Sequence, residues 1–327
     1  MKSTSKKNLL NFNFTIADNT TWVGEDLLDF YANALLTFPT AKNVTVQPNV
    51  KSIIKLPSYN LGSILQSDTV AGATSWNNSG EGTLAEKSFS VSPIKVQLEF
   101  PKVVFENDFL SQYMKAGSNT DEAVPQLFER FITQQVMKQV GNDLEQIAWQ
   151  GTSLSGSSYP LELATGLIKT MSADSTVIKV SSVTAVTSSN VIALVQSAYN
   201  AIPSTVFLNY FSDLKMYVSS QIARAYRLAQ AQTGAGQGYN WASKDIDLNF
   251  LNIEMVECPG LGFNQIVIAS EQNMLLLTDL AEDFEKDTSL AIIDLWKTLG
   301  IASLRIALRF KIGFGYKVGQ EIVLCGN

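Results

Sequence analysis

The chain has 327 residues, more than one compact core usually organises, so two or three lobes are expected. A net charge of −6 without a basic stripe argues against tight binding to a phosphate backbone, and the lack of any histidine excludes His-based triads, His general bases and zinc sites with His ligands. Charged residues make up only 17%, so either other subunits cover much of the surface or the composition has drifted.

Cys258 and Cys325 are too few for a disulfide framework, and both sit in apolar surroundings that suit a small hydrophobe. A reducing compartment fits this usage. Asn11 and Asn13 interrupt the run LLNFNFTI, so it does not read as a signal peptide. No apolar run approaches the roughly 18 residues of a membrane span.

Residues 1 to about 48 read as a polar arm, with Lys2, Lys6 and Lys7 solvated. One short amphipathic helix is expected from roughly Gly24 to Thr37, stopped ahead of Pro39. Two strands follow. VKSIIKLP is expected to end at Pro57. In SFSVSPIKVQLEF, Ile94, Val96, Leu98 and Phe100 alternate with Lys95, Gln97 and Glu99. The stretch between them, Gln66 to Lys87, is polar, Gly-rich and too long for a tight turn. Such a lone hairpin is marginal in water and must lie on something else. Its Lys51, Lys55, Lys87 and Lys95 either keep a solvated edge soluble or touch a neighbouring subunit. The second reading is preferred because the hairpin has no core of its own.

Residues 121–150 carry the best helical pattern. Val124, Leu127, Phe128, Phe131, Ile132, Val136, Val140, Leu144, Ile147 and Ala148 recur at spacings of three and four. Thr120 or Asp121 serves as N-cap, Pro125 falls in the first turn and Gly151 serves as C-cap. Asp143 and Glu145, two apart, do not share a helix face and read as surface residues. A Ser/Gly loop then leads to a short apolar strand at Gly166-Leu167-Ile168.

Residues 171–274 read as a separate α/β lobe. SSNVIALVQSAYNAI gives a helix with Val191, Leu194, Val195 and Ala198 inward. STVFLNY reads as a short buried strand. SDLKMYVSSQIARAYRLAQA reads as a second helix with Leu214, Tyr217, Val218, Ala225 and Leu228 inward. DIDLNFLNIEMVE is a strand pair or a bent strand, and NQIVIAS a buried strand. In the last stretch Ile306, Leu308, Phe310, Ile312, Phe314, Tyr316 and Val318 share one parity. Arg305, Arg309, Lys311, Gly313, Gly315, Lys317 and Gly319 share the other. Its bare glycines allow a bend or the close approach of another backbone.

Two stretches invite a chemical reading. TGAGQGYNW, Thr233 to Trp241, is Gly-rich, but its spacing is G-x-G-x-G, it follows a helix, and no Lys-Ser or Lys-Thr closes it. A loop leaving a helix is preferred to a nucleotide site. DLAEDFEKD, Asp279 to Asp287, lacks the ligand spacing and central Gly of a calcium loop and reads as a solvated turn.

The order of parts carries more information than any motif. DLEQIAWQG followed by ATGLIKT resembles the end of the spine helix, and the short strand beyond it, of the major capsid proteins of tailed double-stranded DNA phages, the Hong Kong 97 fold. STVFLNYFSDLKMYVSS resembles that family's axial-domain strand and helix. NQIVIASEQNMLLLTDLAEDFE resembles its return to the peripheral domain, and LRIALRFKIGFGYKVGQEIVL its closing strands. The resemblance covers nearly the whole chain and implies an α+β architecture. An N-terminal arm spans 1–48 and an extended two-stranded loop 49–105. A peripheral domain takes 106–170 and 275–327 with the spine helix at 121–150, and an axial α/β domain takes 171–274.

It further implies a structural protein, not an enzyme, that forms the hexamers and pentamers of an icosahedral head around double-stranded DNA without binding it tightly. No catalytic, cofactor or metal residue and no membrane follow from it. Lys51, Lys55, Trp76, Lys87, Arg305 and Arg309 become candidates for intersubunit contact, and Gly234, Gly236 and Gly238 for a loop at the capsomer axis. Implied partners are further copies of the chain, a portal and a decoration protein. The short arm after Met1 points to a separate scaffolding protein instead of a cleaved leading segment. No covalent cross-link is expected, because no partner for the loop lysines is identifiable. The implied location is the virion, with assembly in the host bacterial cytoplasm. The nearest rival is an encapsulin-type nanocompartment shell. Rivals of other classes are a nucleotide-binding enzyme using the glycines of 234–238 and an extracellular adhesin, the latter disfavoured by the missing signal peptide.

Overall fold

The computed structural model describes residues 20–21, 38–61, 82–101, 123–152, 160–181, 185–210, 213–232, 248–279, 290–294 and 303–326. The expected helix at Gly24 to Thr37, the caps Thr120 and Asp121, Trp76, the glycines 234, 236 and 238 and most of the acidic run after Asp279 lie outside the described residues. In chain order the strands are β1 (Thr20–Thr21), β2 (Thr45–Gln47), β3 (Ile53–Leu61), β4 (Gly82–Ser90), β5 (Ser92–Pro101), β6 (Ile178–Val180) and β7 (Leu214–Val218). They continue with β8 (Asn249–Phe250), β9 (Ile253–Glu257), β10 (Ile266–Ser270), β11 (Met274–Thr278), β12 (Leu290–Asp294), β13 (Ser303–Tyr316) and β14 (Val323–Cys325). The helices are α1 (Ala123–Gln150), α2 (Leu167–Ala173), α3 (Val191–Asn200), α4 (Ser204–Tyr210) and α5 (Ser220–Gln232).

The chain divides into two compact units. The smaller comprises Met1–Leu27, Lys95–Lys138 and Glu285–Arg309; the larger comprises Leu28–Ile94, Gln139–Phe284 and Phe310–Asn327. In the smaller, β12 pairs antiparallel with β1 and with the first half of β13, Leu290 opposite Leu308 and Asp294 opposite Leu304.

The larger unit holds a six-stranded sheet in the order β6-β14-β10-β7-β9-β8. All five residues of β10 are buried, as a continuous apolar run in a central strand demands. Helix α3 turns Val191, Leu194, Val195 and Ala198 onto this sheet, against Met216, Val218, Ile266 and Ile268. The same unit contains β11, paired antiparallel with the second half of β13 and parallel with β2.

Several expectations are corrected. STVFLNY is helix α4, not a strand; its apolar run is too short for periodicity to separate the two. LKMYV is strand β7, with Leu214, Met216, Tyr217 and Val218 buried. Helix α5 starts only at Ser220, where the Ser219 hydroxyl accepts the Ile222 amide at 3.3 Å as an N-cap, and Leu228 is 52% exposed instead of inward. Gly166-Leu167-Ile168 opens helix α2, with Leu167 and Met171 buried one turn apart. The strand from Ile53 runs through Pro57 to Leu61, and its partner is β4, drawn from the polar stretch, whereas β5 pairs with β13. Pro57 is tolerated because the strand is an edge.

Helix α1 reaches Gln150 as the periodicity predicts, and Val136, Val140, Leu144, Ile147 and Ala148 are buried. Its end is sealed by backbone packing. Gly151 donates its amide to Ile147 at 3.0 Å, and Gly166 donates to Gly151 at 2.9 Å. A Cβ on Gly166 would fall 2.5 Å from the Gly151 nitrogen, so the two chain segments can cross only as glycines.

Candidate functional site

Strands β3 and β4 form a two-stranded ribbon with nine facing pairs, from Ile53 opposite Ser90 to Leu61 opposite Gly82. Facing residues share one side of such a ribbon and successive residues alternate. Ile54, Leu56, Lys87 and Phe89 therefore share a side. This is the side that packs: Phe89 joins Val50, Leu275 and Leu277, with Ile54, Leu56 and Val91 around them. The sequence anticipated a bare glycine face on β13, and it serves as the seat. A Cβ on Gly313 would fall 2.7 Å from the Ser90 carbonyl oxygen, and one on Gly315 would collide with the Phe89 ring. Gly315→Val is expected to cost about 1–3 kcal/mol by overpacking against Phe89. Urea denaturation of the isolated subunit checks this; an unchanged midpoint would mean that the ribbon does not rest on this strand.

Lys87 sits one step further out. Its Nζ lies 3.3 Å from Asp174 Oδ2 and 3.5 Å from the centroid of the Tyr316 ring. Asp174, just beyond α2, is fixed from its other sides. The Thr176 amide and hydroxyl donate to Oδ1 at 2.9 and 2.7 Å in an Asx-type turn, and the Tyr316 hydroxyl donates to Oδ2 at 2.7 Å. Burial acts to raise the Asp174 pKa, but the donors from Thr176, Tyr316 and Lys87 outweigh it and hold the carboxyl well below the usual range. Burial lowers the Lys87 pKa, and the neighbouring Asp174 only partly offsets that.

Since the folded value of Asp174 lies below the unfolded one, its stabilising contribution is present above about pH 3.9 and is lost as pH falls through the folded value. Asp174→Asn is therefore expected to lower the melting temperature at pH 7 and to match wild type progressively as pH drops below about 4. Melting scans across pH test this; a pH-independent difference would contradict it.

The other side of the ribbon faces away from this footing. Ile53 is 64% and Leu84 72% exposed. Between them Lys55 and Glu86 form an exposed pair at 3.1 Å, a contact worth little by itself. Lys51 is exposed, and its carbonyl accepts from Lys311 Nζ at 2.7 Å. The structure thus separates the lysines: Lys51 lies at the base of the ribbon and Lys55 on its outer side, whereas Lys87 lies on the packed side, engaged inside its own chain. In the smaller unit Arg305 donates to Glu99 at 2.9 Å, which holds the Glu99 carboxyl below its usual range, and Arg309 is exposed on the same strand.

Sequence reasoning missed a buried polar knot. Glu145 is 4% exposed, not a surface residue. Its Oε2 accepts the Thr40 amide at 3.1 Å; its Oε1 accepts the Thr40 hydroxyl at 2.8 Å and the Gly260 amide at 3.4 Å. The Thr40 hydroxyl in turn accepts the Trp149 indole N–H at 2.6 Å. Burial raises the Glu145 pKa and these donors only partly oppose it. Cys258 adjoins the knot, and burial first, then the Glu145 charge, pushes its thiol up, so it is inert as a nucleophile. The helix itself held the signal: Gly141, Ala148 and Trp149, at −4, +3 and +4 from Glu145, are all buried. Lys215 extends the seam by donating to Asn43 Oδ1 at 2.8 Å and pairing with Glu271 at 2.8 Å. Among the described residues there is no cluster of three or more acidic or Cys side chains able to hold a metal ion, and no helix long and apolar enough to cross a membrane.

This arrangement offers a seated ribbon whose outer side exposes Ile53 and Leu84 among polar residues. No family model matches the sequence, and no curated protein matches it. Solved structures do match over nearly the whole chain. A chain of the satellite phage P4 procapsid including size determination (Sid) protein is 13% identical, with a TM-score of 0.56 over 92% of this chain and 98% of that one. A chain of the cyanophage A-1(L) capsid asymmetric unit is 12% identical, with a TM-score of 0.55 over 97% and 98%. A Mycobacterium phage Ogopogo chain is 13% identical, with a TM-score of 0.53 over 87% and 90%. The chain has the Hong Kong 97-like fold of phage capsid chains.

Proposed function

We propose that the chain is the major capsid protein of a tailed double-stranded DNA phage, self-assembling into the hexamers and pentamers of an icosahedral head. The observation that carries this reading is the whole-chain likeness to chains of phage capsids. The ribbon supports it. A two-stranded element with Ile53 and Leu84 on its outer side is of little use to a lone subunit but can strap a neighbouring copy.

In this reading Lys51, Lys55 and Trp76 of the 49–105 segment, and Arg305 and Arg309 of β13, contact neighbouring subunits. The loop carrying Gly234, Gly236 and Gly238 lies at the capsomer axis of the 171–274 domain. No catalysis is involved. A scaffolding protein and a portal take part in assembly in the host cytoplasm, and the product is a virion. A net charge of −6 suits a wall that encloses DNA without gripping it.

The test is light scattering with negative-stain microscopy of the chain expressed alone and with its neighbouring genes. Polyhedral particles, or pentamers and hexamers leading to them, are expected. DNA-filled particles mark a phage head, and packed cargo protein would mark a nanocompartment. A monodisperse monomer under every condition would overturn the reading.

A further inference from the structure

We propose that Lys87 is a positioning residue that fixes the take-off angle of the β3–β4 ribbon, so that its contact with Tyr316 and Asp174 selects the geometry of the assembled shell. This rests on the shell-forming reading above.

The ribbon is attached along β4 at three points: the Ser90 carbonyl against Gly313, Phe89 over Gly315, and Lys87 on Tyr316 and Asp174. The first two are adjacent residues. They form a pivot, not a brace. Lys87 lies about 10 Å from Ser90 along the strand at about 3.3 Å per residue. Leu56, opposite it, packs at the same level through non-directional apolar contact, so Lys87 supplies the directional outer point that resists rotation. Beyond it Glu86 and Leu84 are exposed.

The receiving side is already built. Asp174 is held by Thr176 and Tyr316, and a Cβ on Gly319 would collide with Thr176, so the turn is packed from behind. Only the lysine comes from the ribbon. Its side chain is 30% exposed, so its ammonium meets the ring face and the carboxylate partly desolvated, where both attractions are stronger than in open water.

The lever is long. The Leu61–Gly82 pair lies five residues further out, about 17 Å at the same rise. Measured from the pivot at Ser90 the arm is about 26 Å, so a turn of about 10° moves that end by about 4–5 Å, enough to miss a complementary surface on the next copy.

The test has two arms. In the isolated subunit, spin labels at Leu84→Cys and Gln196→Cys report the ribbon angle; Gln196 is exposed on α3, and both native cysteines are buried. Wild type is expected to give one narrow distance distribution, Lys87→Met a broad one, and Lys87→Arg a narrow one again, because arginine keeps both the ring contact and the ion pair. In assembled particles, Lys87→Met is expected to turn one size class into a mixture of sizes and open sheets, with an unchanged circular dichroism spectrum of the subunit. Tyr316→Phe, which keeps the ring but removes the hydroxyl and its bonds to Asp174 and Thr170, is expected to broaden both readouts to a smaller degree. A narrow distribution and uniform particles for Lys87→Met would overturn the inference and leave the shell reading intact. If wild type forms no particles, the shell reading falls, and the selecting role of Lys87 falls with it.

Discussion

Replacing Glu145 with Ala is expected to cost about 2–4 kcal/mol of subunit stability, because it strips the partner from two buried backbone amides at once. The Thr40 and Gly260 N–H groups both point at the carboxylate, and each buried donor left alone costs about 1–3 kcal/mol. The Thr40 hydroxyl keeps its bond from Trp149, which limits the loss. The cost of burying the carboxylate, visible in its raised pKa, is recovered on truncation and sets the upper bound.

Glu145→Gln should cost less, yet not be neutral, since its amide NH2 must face one of the same donors. The pH dependence follows from the direction of the shift. A folded value above the unfolded one means that the contribution is full below about pH 4.3 and falls as pH rises through the folded value. The Glu145→Gln cost is therefore expected to be larger near pH 4 than at pH 7. Urea denaturation at both pH values measures it; equal costs, or an Ala variant within about 0.5 kcal/mol of wild type, would show that the knot is not a structural tie.

The second large effect concerns assembly. Replacing residues 58–85 with Asn-Gly should abolish particles while leaving the subunit folded. Pro57 and Glu86 face each other, so a two-residue turn of this type closes the shortened hairpin in register. The footing of Ile54, Leu56, Phe89, Val50, Leu275 and Leu277 is untouched, and so is the Lys87 contact. What disappears is the outer length of the ribbon with Leu84, while Ile53 at its base stays. Sedimentation should find the variant as free subunits with native circular dichroism. Particles of wild-type diameter would mean that the ribbon straps nothing.

Strong periodicity made much of the fold legible. Helix α1, helix α3, strand β10 and the alternation of β13 were all readable: α1 from Val136 to Ala148, α3 and β13 bury one face, and β10 a continuous run. The glycines of β13 were readable as a place of close approach, though not what approaches. Strand β4 was not, because its GTLAEKSFS carries the polarity of a loop, and Leu84, Glu86, Ser88 and Ser90 are exposed. LKMYV and STVFLNY were exchanged between helix and strand because seven residues or fewer hold too few turns to fix a period.

The footing was half legible. Lys87 stood out as a lysine in a coreless hairpin, but Asp174 and Tyr316 come from distant segments that only the folded chain brings to it. Glu145 was misread because its charge was weighed above its position on the buried arc with Gly141, Ala148 and Trp149.

A cryo-electron microscopy reconstruction of particles formed by the wild-type chain tests the central claim most directly. The account predicts a closed icosahedral shell in which the ribbon of each copy lies across its neighbour, with Ile53 and Leu84 buried at that contact and Lys87 on its own Tyr316. Shells in which both residues stay in solvent, or no shells in any preparation, would contradict it.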